Sequence, residues 1–306
     1  MSEKEYSVII PVYNSETTLN ELFTRTKNVF EKLNCSFEIV FIEDCGSDGS
    51  WDKLCEIKKS GPDIVTIIKL AKNFGQHNAI LCGLNHIKGK KVITIDDDLQ
   101  IPPEEIEKLI KEYEVTKADV VYGKFIQKKH RFYRNFGSYL VQRIFKKIFK
   151  SRDNITSFRL ICENLVNNLK GHKESFVYID GLLHWYTKDF AFVTVNHEPR
   201  KFGKSGYSMI KLISLANNLL FNFTTIPLRW MIDLGFLFAI LSFIPIIVFI
   251  YRKLVYDVPI GYTSLIVTLF FIFSVLLLVI GVVGEYISRL YSLQNEKPQY
   301  SIKHIL

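Results

Sequence analysis

Cysteine is scarce in this 306-residue chain: Cys35, Cys45, Cys55, Cys82 and Cys162 are the only five, and no two have C-x-x-C spacing. That argues against a disulfide framework and against a thiolate metal site, and leaves the thiols as reduced packing residues. Internal repeats and low-complexity linkers are also missing. The net charge is +8, yet no nucleic-acid motif accompanies it. The basic residues cluster between Lys124 and Arg152 and just ahead of the apolar stretches, where lipid headgroups and phosphate substrates are the simpler partners. Charge itself is absent from Leu234 to Tyr251 and again from Val258 to Gly284. Apolar stretches of about 18 residues or more read as membrane-spanning helices. Arg252 to Asp257 joins the two, which predicts a transmembrane hairpin with both termini on one side. Arg200, Lys201, Lys204, Lys211 and Arg229 before the first span, and Arg289, Lys297 and Lys303 after the second, outnumber Arg252 and Lys253 in the far loop. The positive-inside rule then places the N-terminal part in the cytoplasm, as a multi-pass protein of the cell membrane. Met1 to Tyr6 is polar, so no cleavable signal is expected.

The first two hundred residues alternate strand and helix patterns. Apolar or β-branched runs at Ser7–Val12, Phe37–Ile42, Ile64–Leu70, Val92–Ile95 and Asp119–Gly123 read as strands. Between them, Glu16–Leu33, Trp51–Lys59, Asn78–His86 and Pro103–Glu114 read as helices, the last opened by proline in its first turn. This alternation predicts an α/β fold with a mainly parallel sheet, whose ligands bind at the carboxyl ends of the strands. Beyond it, Met209, Leu212, Ile213, Ala216, Leu219, Leu220 and Phe223 recur at helical spacing within Lys204–Phe223. Beside two spans, such an amphipathic helix belongs in the membrane interface, a packed helix of the soluble part being the alternative. The expected organisation is a catalytic domain at 1–203, an interfacial region at 204–229, two transmembrane helices at 230–284 and a cytoplasmic tail at 285–306.

The strongest chemical signal is Thr94-Ile95-Asp96-Asp97-Asp98-Leu99-Gln100, three carboxylates at the end of a buried strand. Strand side chains alternate, so Asp96 and Asp98 point one way and Asp97 the other. Two hard oxygen ligands on one side suit Mg²⁺ or Mn²⁺, with substrate phosphates completing the shell. A solvated acidic turn would carry the same residues.

Four further segments extend the pattern: Pro11-Val12-Tyr13-Asn14-Ser15-Glu16, Glu43-Asp44-Cys45-Gly46-Ser47-Asp48-Gly49-Ser50, Asn73-Phe74-Gly75-Gln76-His77-Asn78-Ala79, and His197-Glu198-Pro199-Arg200 with Gly203-Lys204-Ser205-Gly206-Tyr207. In this order, and ending in two spans, they resemble the family 2 glycosyltransferases with the GT-A fold (a Rossmann-like, mainly parallel sheet). Within that family they resemble the polyisoprenyl-phosphate glycosyltransferases. The resemblance implies an inverting hexosyl or pentosyl transfer from a nucleotide sugar, UDP-linked by expectation, to a polyprenyl phosphate at the bilayer. A diacylglycerol or growing-glycan acceptor, and a non-catalytic nucleotide-binding scaffold, are the alternatives. It implies a nucleotide-sugar pocket made by Pro11, Tyr13, Glu16, Asp44, Asn73, Gly75, Asp96 and Asp97, with Asp44 accepting from the base. It also implies a metal held by Asp98 with Asp96 and Gln100. For the catalytic carboxylate it points to Asp153 or Asp180. Some relatives carry the acid immediately before Phe-Arg, where this chain has Ser157. Arg159, Arg200, Lys204 and Ser205 are implied to serve the acceptor phosphate, and a homo-oligomer is an open expectation.

Overall fold

Nine residues, Lys4–Val12, form β1, and Val8, Ile9, Ile10 and Val12 are fully shielded from solvent. A strand that is apolar on both faces belongs in the middle of a sheet covered by helices. β1 indeed pairs in parallel with β2 (Phe37–Glu43) on one side and β4 (Gly89–Thr94) on the other. β3 (Val65–Leu70) continues the parallel set beside β2. On the far side, β6 (Arg159–Ile161) runs antiparallel between β4 and β5 (Val120–Phe125), and β7 (Phe190–Val195) lies parallel to β5. β8 (Ile302–Ile305) closes the opposite edge, antiparallel to β3. The eight strands are ordered β7-β5-β6-β4-β1-β2-β3-β8.

This computed structural model describes residues 4–125, 156–172, 176–198, 218, 220–222, 224–256, 261–295 and 298–306. The chain divides into two compact units, Met1–Met209 with Lys297–Leu306, and Ile210–Glu296. The segment after the second unit supplies β8 to the first.

The crossover helices are α1 (Leu19–Leu33), α2 (Ser50–Ser60), α3 (Gln76–Leu84) and α4 (Ile106–Thr116), the last preceded by a 3₁₀ turn at Pro103–Glu105. Leu19, Leu22, Phe23, Thr26, Val29 and Phe30 form the buried stripe of α1, and Asn34 ends that helix in the left-handed conformation at φ 53°. α3 lies so close to the sheet that a Cβ on Gly83 would meet the Ile9 side chain at 2.7 Å. α5 (Glu163–Leu169) and α6 (Ile179–Tyr186) complete the first unit. Helix ends and strand ends differ from the sequence reading by one to three residues, as fraying and capping allow.

Three non-glycine residues with positive φ stand at the carboxyl ends of central strands: Asn14 at 54° after β1, Cys45 at 55° after β2 and Leu99 at 55° after β4. A left-handed residue costs roughly 1–2 kcal/mol, so each reversal is held by its surroundings; Leu99 is 1% exposed, in the core. The chain also passes out of the sheet at that same edge. β5 ends there at Phe125, β6 re-enters there at Arg159, β7 ends there at Val195, and β8 begins there opposite Leu70.

The second unit contains α7 (Ile226–Tyr256) and α8 (Tyr262–Gln294). Phe238 and Phe271 meet at 5.6 Å, and the Tyr286 hydroxyl donates to the Thr224 carbonyl at 3.4 Å. Phe236, Phe270 and Leu290 are each about two-thirds exposed. Among the described residues one segment, Thr268–Ser292, is long and apolar enough to cross a membrane. The expected pair of spans is thus met by one such segment. Most of the expected amphipathic helix at 204–223 lies outside the described residues, as do Asp153, Arg200, Lys204 and Ser205.

Candidate active site

The carboxyl ends of β4 and β5 and the amino end of β6 surround a cavity of about 200 Å³, lined by Asp96, Asp98, Gln100, Ile101, Phe125, Thr156 and Ser157. Water occupies roughly 30 Å³ per molecule, so the space equals about seven waters, the scale of one sugar ring. One wall is carboxylate and amide; the other carries Ile101 and the Phe125 ring, which meets His197 edge-on at 4.4 Å.

Asp96 and Asp98 share the cavity, as alternation along the strand predicts. Asp96 is fixed from both sides: Gln76 Nε2 donates to its Oδ1 and the Ser157 hydroxyl to its Oδ2, each at 2.5 Å. Burial raises its pKa, helped by the neighbouring Asp98 charge. Asp98 accepts from the Gln100 amide at 3.1 Å, a tight turn that brings Gln100 back to the same wall. Asp97 faces away and is not a pocket residue. Its Oδ2 accepts from the Tyr13 amide at 2.9 Å, and its carbonyl accepts from Thr18 Oγ1 at 2.6 Å. Burial pushes the Asp97 carboxyl up to about 6. These bonds tie the β1–α1 turn to the strand end.

Asp44 is 3% exposed, and both its oxygens are engaged, by the Phe74 amide at 2.7 Å and the Gly75 amide at 2.8 Å. Burial raises its pKa against those two hydrogen bonds. Asp44 clamps the β3–α3 turn, where Gly75 takes φ +89°, a conformation few residues but glycine adopt cheaply. Tyr13 is 52% exposed beside this edge, Pro11 is buried in β1, and Asn73 is exposed in the clamped turn. Glu16 accepts from the Gly49 amide at 3.1 Å and donates its own amide to Asp48 at 3.0 Å, an exchange between the turns after β1 and β2.

Arg159 and Asp180 are brought together, but behind the cavity and not in its lining. Arg159 is fully buried; its guanidinium pairs with Asp180, and its Nε donates to Thr94 Oγ1 at 3.1 Å. Asp180 also accepts from the Tyr122 hydroxyl at 3.1 Å. The two form an internal brace. Thr94 in turn donates to the Ser157 carbonyl, so the brace supports the residue that holds Asp96. His77 meets Tyr178 edge-on at 4.7 Å and accepts from the Ile179 amide at 3.5 Å, and burial pulls its pKa down to about 4. An unprotonated Nδ1 facing an N–H donor agrees with that direction.

Among the described residues no group of three His, Cys, Asp or Glu is arranged to hold a metal ion. The donor set that is present, Asp98 and Asp96 with the Gln100 side chain, is all oxygen and gathers in one cavity. That fits Mg²⁺ or Mn²⁺, which bind through one or two carboxylates plus phosphates and water. Gln76, Ser157 and Phe125 were not singled out as site residues from the sequence. Gln76 was visible only inside the Asn73–Ala79 motif, and Phe125 lies just past the strand read at Asp119–Gly123.

The profile of the family described as Glycosyl transferase family 2 matches residues 7–176. Among solved structures, the chain is similar to glucosyl-3-phosphoglycerate synthase from Mycobacterium tuberculosis in complex with Mn²⁺, UDP and glucosyl-3-phosphoglycerate. The TM-score is 0.51 at 14% identity, over 71% of this chain and 78% of that one. The same enzyme with Mn²⁺ and UDP-glucose gives 0.50 at 15% identity, over 71% and 77%. TarS from S. aureus in complex with UDP-GlcNAc gives 0.48 at 17% identity, over 71% and 67%.

Proposed function

Since the chain belongs to glycosyl transferase family 2 and is a glycosyltransferase, we propose that it moves one sugar from a nucleoside-diphosphate donor, UDP-linked, to a polyprenyl phosphate at the cytoplasmic face of a membrane, with inversion at the anomeric carbon. The observation that carries this reading is the cavity of Asp96, Asp98 and Gln100 at the carboxyl end of β4, in a chain that also holds a segment long and apolar enough to cross a membrane, Thr268–Ser292. The Mycobacterium tuberculosis enzyme of like fold binds UDP-glucose with Mn²⁺, which supports the donor class.

In this reading Asp98, Gln100 and Asp96 hold a divalent cation, which when bound screens the negative charge of the diphosphate. Gln76 and Ser157 fix the Asp96 carboxylate so that it does not reorganise as charge moves. Ile101 and Phe125 give the sugar an apolar wall and limit water beside the anomeric carbon. The acceptor phosphate attacks that carbon and the nucleoside diphosphate leaves. A phosphate monoester has its second pKa near ~6, so at neutral pH the acceptor arrives as an anion and positioning outweighs proton removal.

The test is to incubate membranes carrying the protein with a panel of radiolabelled nucleotide sugars and undecaprenyl phosphate. The expected result is divalent-cation-dependent label in the organic phase, released by mild acid. Label in diacylglycerol or in a polymeric glycan would replace the acceptor, and transfer to neither would overturn the reading.

A further inference from the structure

β8 is separated from the rest of its sheet by the whole second unit, yet its hydrogen bonds continue into the pocket. Leu306 and Ile67 exchange backbone hydrogen bonds at 3.0 Å each, and the Ala71 amide donates to the Ser301 carbonyl at 2.8 Å. Ala71 is where β3 gives way to the turn that Asp44 clamps through the amides of Phe74 and Gly75. The next residue, Gln76, opens α3 and donates to Asp96 in the cavity at 2.5 Å. At the other end of α3, Asn85 donates from Nδ2 to the Tyr300 hydroxyl at 3.1 Å, and His86 meets the Tyr300 ring edge-on at 6.5 Å. The 299–306 segment thus grips both ends of the stretch 71–86 that carries Gln76.

We propose that the C-terminal strand is a positioning element of the donor site. By fixing the 71–75 turn and the end of α3, it holds Gln76 against Asp96. Without it, β3 becomes an open edge, the exposed stretch Ala71–Asn73 loses its backbone anchor to Ser301, and Gln76 keeps its bond to Asp96 only part of the time. The inference rests on the reading of the Asp96 cavity as the donor site.

The experiment uses the full chain in detergent and the dissociation constant of UDP in the presence of Mn²⁺, measured by calorimetry. Five variants are compared: removal of residues 301–306, Tyr300→Ala, Gln76→Ala, Asp96→Asn, and the truncation combined with Gln76→Ala. One hydrogen bond of ordinary strength is worth about three- to tenfold in an equilibrium constant. Gln76→Ala and the truncation are each expected to weaken UDP by that factor. Tyr300→Ala, which leaves the strand's backbone in place, is expected to weaken it less and in the same direction. The combined truncation and Gln76→Ala protein should be no weaker than Gln76→Ala alone, because both act through one contact. If the truncated chain melts earlier but its folded fraction binds UDP as the intact chain does, β8 is only structural and the inference falls. The same holds if the two changes multiply. If Gln76→Ala and Asp96→Asn both leave UDP binding unchanged, the donor-site reading falls instead. If they weaken it while the truncation and Tyr300→Ala do not, only the role of β8 is refuted.

Discussion

Replacing Arg159 by methionine isolates what the buried brace contributes. The guanidinium is 0% exposed and its partner Asp180 is 8% exposed at the side chain. Arg159→Met therefore leaves a carboxylate uncompensated in the interior. Breaking a buried pair from one side costs about 3–5 kcal/mol, and in a domain of this size 1 kcal/mol moves Tm by about 2–4 °C. A fall of about 6–20 °C is expected. Asp180→Leu alone leaves the guanidinium unpaired and should fall as far. The Arg159→Met, Asp180→Leu double variant removes both charges, and apolar replacement of a buried pair is commonly neutral or better. It still strands the Tyr122 hydroxyl, which loses its Asp180 acceptor at a cost of about 1–3 kcal/mol. The double variant should thus recover most of the loss, and adding Tyr122→Phe should recover the remainder. Thermal unfolding followed by near-ultraviolet circular dichroism reads all four proteins. A single variant that loses less than about 1 kcal/mol, or a double variant as unstable as the sum of its parts, would refute the brace. Transfer should separate from stability in the same set. Arg159 also donates to Thr94, which holds the Ser157 carbonyl, so the recovered double variant should remain slow.

Asp98→Ala should abolish transfer and Mn²⁺-dependent UDP binding, because it removes a carboxylate from the cavity wall; full activity of this variant in excess EDTA would remove the metal role. His77 predicts a pH dependence. Its folded pKa of about 4 lies below its ordinary 6.5, so the neutral ring's stabilisation is complete above pH 6.5 and is lost as pH falls through 4. The full span is on the order of 3 kcal/mol, reduced because one edge of the ring meets solvent. His77→Gln should flatten the stability profile between pH 7 and 4, and an unchanged slope would place the acid sensitivity elsewhere.

The central parallel strands were legible in the sequence because each is a continuous apolar run bounded by turn residues, and two-sided burial leaves that pattern in the chain itself. The carboxylate wall was legible for a related reason: alternation along Ile95–Gln100 separates Asp97 from Asp96 and Asp98 without any tertiary information. β6 and β8 were not legible. They are three and four residues long, and what makes them strands is pairing with Thr94 and Leu70, far away in sequence. The same blindness governed side-chain roles. Asp44 and Asp97 looked like ligand groups because they sit at strand ends among turn residues; only the fold shows the amides of Phe74, Gly75 and Tyr13 converging on them. Arg159 and Asp180 lie 21 residues apart and read as a phosphate ligand and a candidate catalytic carboxylate; their pairing appears only when β6 and α6 bury them face to face. A carboxylate at a strand end thus has two uses that sequence does not distinguish: to hold the loops that shape a site, or to face what enters it. Here Asp44 and Asp97 bind the neighbouring turns, while Asp96 and Asp98 line the cavity. In the function proposed above, donor binding turns on Asp96 and Asp98, which makes the neutral residues that fix Asp96, Gln76 and Ser157, as consequential as the acids.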